Sequence, residues 1–330
     1  MFNNKRRFFD VPIGDLLHMK ELFKNCIDLL DVDGWILPTR FTEYQRGAIA
    51  TSENQYIRSY APTHVCLAFK TSATKISLEY KITGKARAWA LFDLVRDGLL
   101  ADSITLEADE GRVEFSLSGD ANSEYRLYLP HLVVVLIRNI TSDAQLFPVA
   151  DRGSLWLALG DSITQGMDAR HPTNSYPAII SDYMNIDVLN TGVGGAKFNA
   201  AQLDHIGKEP SLITIAFGCN DWGITRENMI ANVTAYMEKL ISFYECRNIY
   251  AILPIWRGNE NEIRADMTYR DHIEVIRSVF EKYPFVKIID GYEIIPHLPE
   301  FYGETTRPSC HPTAEGFAIM SRELMKRIFC

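Results

Sequence analysis

After residue 150 the apolar runs "SLWLALG", "IDVLNTG", "SLITIAFG", "NIYAILPI" and "VKIIDG" follow one another with helical stretches between them. Short, almost continuous apolar runs of this kind are strands buried on both faces. The clearest helical stretch spans 226–245, where Met229, Val233, Tyr236, Met237, Leu240, Ile241 and Tyr244 share one face. A last helix over 313–329 aligns Phe317, Met320, Leu324 and Ile328. Strand and helix in alternation demand right-handed crossovers and a mostly parallel sheet covered on both sides. Ligands of such sheets bind beyond the carboxyl ends of the strands. That rule sets Ser162, Gly195 and Asn220 along one rim, because each follows its strand directly.

The first half has a different rhythm. An amphipathic helix is expected over 14–31, with Leu16, Met19, Phe23, Ile27 and Leu30 on one face and "DVDGW" as its stop. From Trp35 to Pro148 come short runs such as "HVCLAFK", "KISLEYKI", "RVEFSLS" and "LVVVLIRN", broken by turn chemistry. Strands at that spacing, with no helical pattern between them, predict a β-sandwich. The chain therefore reads as two domains, 1–150 and 151–330.

Composition excludes several functions. The 330 residues are 47% hydrophobic and 23% charged, and the net charge is −8. Nothing in that balance attracts nucleic acid or an anionic membrane. The start "MFNNKRRFFDVPIGD" lacks the apolar core of a signal peptide, and no run is long enough to span a bilayer. Six scattered cysteines and eight scattered histidines form no ligand spacing, so reduced thiols, a cytoplasmic location and no metal or cofactor are expected.

Chemistry concentrates at the strand ends. "GDSIT" follows the first run, "NTGVGG" the second and "GCND" the third, and "CHPTAEGF" places His311 before the last helix. Acyl transfer requires a nucleophile, a base for its proton and donors for the tetrahedral oxyanion. Each residue also has an ordinary alternative: Ser162 a helix cap, Gly195 a turn glycine, Asn220 a strand-end turn, His311 a packing residue. Their occurrence together and in order favours the catalytic set. Asp161 reads as a structural turn residue, Asp221 as a local cap and His171 as a loop residue.

Residues 154–330 resemble the SGNH/GDSL hydrolases, a superfamily of esterases and acylhydrolases. The resemblance implies a flavodoxin-like three-layer α/β/α fold, Ser162 as nucleophile, His311 as base, and the Gly195 N–H and Asn220 amide as oxyanion donors. The first half resembles the jelly-roll domains that precede SGNH domains in some carbohydrate esterases. One position departs from the pattern. An acid usually stands three residues before the histidine, and here that residue is Pro308. A carbonyl of Arg307–Ser309 is expected to orient His311 instead, with Glu304 or Glu315 as the competing carboxylates.

Trp222 and the pair Trp256 and Arg257 lie on the same rim, as a platform and an anion contact for substrate or as loop packing. Together these readings describe an esterase acting on short acyl groups, acetyl first, carried by a sugar or similar polyol. Two rivals stay open: an acyltransferase, and a carbohydrate-binding protein on a weakened hydrolase. Oligomeric state is not encoded in any visible pattern. The β-sandwich is expected to shape substrate choice and not chemistry, because all four blocks follow residue 150.

Overall fold

The computed structural model describes residues 9–10, 16–303 and 310–330. Among the described residues, the first half is built on two antiparallel sheets of six strands each. One runs Asp28–Val32, Trp35–Thr39, Val133–Ser142, Lys75–Lys85, Glu110–Ser116, with Phe9–Asp10 beside Val133–Ser142. The other runs Phe147–Pro148, Cys66–Lys70, Glu124–Tyr128, Leu91–Arg96, Leu99–Thr105, with Phe23–Lys24 beside Cys66–Lys70. Inward residues of both sheets, among them Leu67, Phe69, Leu78, Phe92, Phe115 and Val135, fuse into one core. This is the expected β-sandwich.

Two details of the first half differ from expectation. The helix over 14–31 is only Leu16–Leu22 among the described residues. Asn25 then takes a positive φ of 63°, and the chain turns into a hairpin at Asp33 and Gly34, with φ of 53° and 80°. An Asp-Gly pair with both φ positive matches the twist of two antiparallel strands, so "DVDGW" is a hairpin turn and not a helix stop. Two short helices, Glu43–Ile49 and Glu53–Tyr60, also interrupt the sandwich, capped by Thr42 and Ser52.

The second half is a parallel sheet ordered Asp187–Asn190, Leu155–Gly160, Leu212–Ala216, Ile249–Ile252, Val286–Ile289. With the first strand second in the order, this is the flavodoxin-like arrangement. Alternate side chains go to opposite faces. Leu157, Leu159, Ile213 and Ile215 pack under helices Arg226–Phe243 and Tyr269–Phe280. Trp156, Ala158, Tyr250 and Ile252 pack under Tyr176–Met184 and Ala314–Ile328. Three layers result, and the loops after the strands gather on one rim. No described helix is long and apolar enough to cross a membrane.

Candidate active site

The first strand ends at Gly160, and the chain enters a four-residue helix, Ser162–Gln165. Asp161, not Ser162, caps it: its carboxylate accepts the Ile163 N–H at 3.0 Å. The serine hydroxyl is thereby left for chemistry. Asp161 is fully buried, and desolvation with the nearby Asp221 charge pushes its carboxyl up to about 7. Asp221, pushed up to about 6 by burial, accepts the Phe198 N–H at 3.2 Å and ties the third strand end to the second.

His311 comes from the far end of the chain. Gly303 N–H donates to the His311 carbonyl at 2.6 Å, Tyr302 bridges Pro312, and Thr313 caps the last helix. Held this way, His311 Nε2 lies 2.8 Å from Ser162 Oγ, and both residues are buried. On the opposite ring edge, Nδ1 lies 3.4 Å from the Asp168 carboxylate. That separation is longer than a short hydrogen bond. Asp168 in turn accepts from Arg87 Nε at 2.7 Å.

The expected anchor of His311, a main-chain carbonyl of Arg307–Ser309, lies outside the described residues. Glu304 lies outside them too, and Glu315 is exposed on the first turn of the last helix. A carboxylate does face the imidazole, and it belongs to the loop after Ser162. The signal was in the sequence: "GDSITQGMDAR" puts an acid six residues beyond Ser162, on the same rim.

The second strand end is sewn to the first. Val193 N–H donates to Gly160 O at 3.1 Å, and Gly194 N–H to Gln165 Oε1 at 2.7 Å. Gly195 follows with φ of 81°, a conformation that glycine adopts without the Cβ penalty. Asn220 Nδ2 donates to Ala196 O at 3.0 Å, which brings the amide beside Gly195 and leaves its second N–H for another acceptor. Among the described residues, the Ser162 and Gly195 N–H groups have no hydrogen-bond partner.

The first half of the chain reaches the same loop. Arg40 is wholly buried and donates to the carbonyls of Ala61, Arg58, Gly192 and Asn190. Burial without a carboxylate pulls its guanidinium down to about 9. Arg58 Nη1 donates to Gly194 O at 2.9 Å.

Of the two readings of the aromatic rim, Trp222 shows the geometry of loop packing. Trp222 is buried, its N–H donates to Met267 O, and the Arg257 and Arg264 guanidiniums cover its ring, so it packs and offers no open platform. Arg257 folds back to donate to the Cys219 carbonyl and Asn259. Trp256 is half-buried, stacked on His297 and tilted against Tyr302, which places it near the His311 segment. His171 pairs through Nδ1 with the fully buried Asp93 at 2.9 Å.

A serine and an imidazole so placed, beside unpaired backbone donors, form an arrangement that acyl chemistry can use. Residues 158–319 match the GDSL-like lipase/acylhydrolase family. This half of the chain belongs to that family. The chain is thus an enzyme of the GDSL type, a carboxylic ester hydrolase by family. No curated relative matches the sequence. Among solved structures, a salicylyl-acyltransferase from a tetracycline biosynthetic pathway superposes with a TM-score of 0.79 at 21% identity, covering 92% of each chain. An acetyl xylan esterase from the rumen bacterium Butyrivibrio proteoclasticus gives 0.62 at 12% identity over 97% of each chain. A family two carbohydrate esterase from Cellvibrio japonicus gives 0.61 at 19% identity, over 81% of this chain and 88% of that one. At these identities the likeness is one of fold, and it extends through both halves of this GDSL chain.

Proposed function

We propose that this chain is a serine esterase that removes short acyl groups, acetyl foremost, from a carbohydrate or similar polyol. The observation that carries the reading is the 2.8 Å approach of Ser162 Oγ to His311 Nε2. His311 takes the serine proton as Oγ attacks the ester carbonyl. The tetrahedral oxyanion is met by the Ser162 and Gly195 N–H groups and the Asn220 amide. His311 then returns the proton to the departing alkoxide, and water repeats the sequence on the acyl-enzyme. Asp168, beside Nδ1, stabilises the imidazolium that each transfer creates. A neutral carbonyl from 307–309 lacks that charge.

The sugar ester is supported by the similar folds named as carbohydrate and acetyl xylan esterases. The fold named as a salicylyl-acyltransferase supports a second reading, in which an alcohol replaces water. A carboxylate near His311 weakens the case for a decayed binding protein. The test is to incubate the enzyme with acetylated xylo-oligosaccharides and with longer acyl esters, with and without an excess of an alcohol acceptor. Acetate release that outpaces both longer-chain hydrolysis and acyl transfer is the expected result. Transfer product without free acid overturns the hydrolase reading, and preference for long chains overturns the acetyl one.

A further inference from the structure

The loop that carries Asp168 is unusual. Asp168 and Arg170 both hold positive φ, 69° and 68°, which non-glycine residues adopt only when surroundings impose it. The surroundings come from the β-sandwich. Arg87 Nε meets Asp168 at 2.7 Å, Trp89 lies under the Arg170 guanidinium at 4.6 Å, and Asp93 takes His171 at 2.9 Å and Thr173 at 2.7 Å. One short stretch of the sandwich thus grips one loop of the hydrolase half at successive points.

Resting on the esterase reading above, we infer that Arg87 is a positioning residue for catalysis: the β-sandwich holds Asp168 ionised and aimed at His311. The Asp168 side chain is 5% exposed, and a carboxylate so buried is protonated or expelled from its place unless a cation pairs with it. Arg87, 15% exposed, is that cation, and its planar fork fixes direction as well as charge. The segment bearing Arg87 links strands Lys75–Lys85 and Leu91–Arg96, so its place is set by both sandwich sheets. The expectation that the sandwich bears only on substrate choice does not fit these contacts.

The test is a mutant cycle on the full chain, with kcat and KM measured on 4-nitrophenyl acetate and on an acetylated sugar. Asp168→Asn is expected to lower kcat about 10²-fold, and Arg87→Ala about tenfold or more, since small misplacements in such arrays cost that much. Both losses fall on kcat with KM nearly constant, and are equal on the two substrates. The double variant loses no more than Asp168→Asn alone, because Arg87 acts through Asp168. Arg87→Lys, which keeps the charge, recovers part of the rate. If Arg87→Ala does not fold, Arg87→Gln replaces it in the cycle. Unchanged kcat in Asp168→Asn overturns the role of Asp168 in the esterase mechanism. A tenfold or greater loss there, with unchanged kcat in the Arg87 variants or with additive losses in the double variant, overturns the inference about Arg87 alone.

Discussion

Gly303 offers a sharp probe of Asp168, because the perturbation is a single methyl group. A Cβ at Gly303 would sit 2.7 Å from Asp168 Oδ2 and 2.9 Å from its Cβ, where ordinary contact begins at 3.4 Å. The carboxylate or the loop must therefore give by about 0.7 Å. The displaced atom, Oδ2, is the one that faces His311 Nδ1. Misplacing a catalytic array by about 1 Å costs on the order of 10² in rate, so Gly303→Ala should lower kcat by about tenfold to a hundredfold. Steady-state hydrolysis of 4-nitrophenyl acetate measures it, with a thermal melt to show that the fold survives. KM should hardly move, since nothing that binds the ester has been touched. A variant that melts like the wild type and keeps kcat within twofold would refute the reasoning, because the imidazole would then be indifferent to the position of this acid.

Other outcomes follow from the same geometry. Asn220→Ala removes one oxyanion donor and should lower kcat roughly 10²- to 10³-fold with little change in KM; a rate equal to wild type removes Asn220 from the oxyanion hole. His64 and His131 sit where the two halves meet, at 3.3 Å from Ser181 Oγ and from the Gly166 carbonyl, and burial pushes both down to about 4. Unfolded, each takes a proton near 6.5, so their contribution to stability is complete above that pH and is lost as pH falls toward 4. The melting temperature should drop between pH 6.5 and 4, and His131→Gln should flatten part of the drop; an identical slope in the variant would contradict it. Arg40→Met removes one donor from four main-chain carbonyls, of which Arg58 O keeps Gln165 Nε2 and Ala61 O keeps the Thr63 N–H, and should cost about 1–3 kcal/mol of stability, read by urea unfolding.

The second half of the fold was legible because its signals are local and redundant. A buried parallel strand is a run of apolar residues, and the three strand-end blocks each carry their own chemistry. Ser162 and His311 could be paired from sequence although they stand far apart, since the order of blocks supplied what distance could not. For Asp168 the sequence shows only an acid on the rim six residues beyond Ser162; that it faces His311 is set by a loop geometry that the spacing does not encode. "MDARH" reads as an ordinary polar turn until Arg87, Trp89 and Asp93 are laid against it. The Asp33-Gly34 hairpin was written plainly, but the apolar spacing of residues 16–30 fits one helix face about as well as a short helix followed by a strand. The helices Glu43–Ile49 and Glu53–Tyr60 escaped because they are short and mostly polar outside.

The central claim is that Ser162 carries the acyl group. Wild type and Ser162→Ala should be compared on 4-nitrophenyl esters of increasing acyl length, with intact-protein mass spectrometry of the quenched reactions. The account predicts fastest turnover on acetate, an acyl adduct on Ser162 of the wild type, and rates in Ser162→Ala lower by on the order of 10³ or more with an unchanged melt. Equal rates for the two proteins on every ester, with no adduct on Ser162, would contradict it.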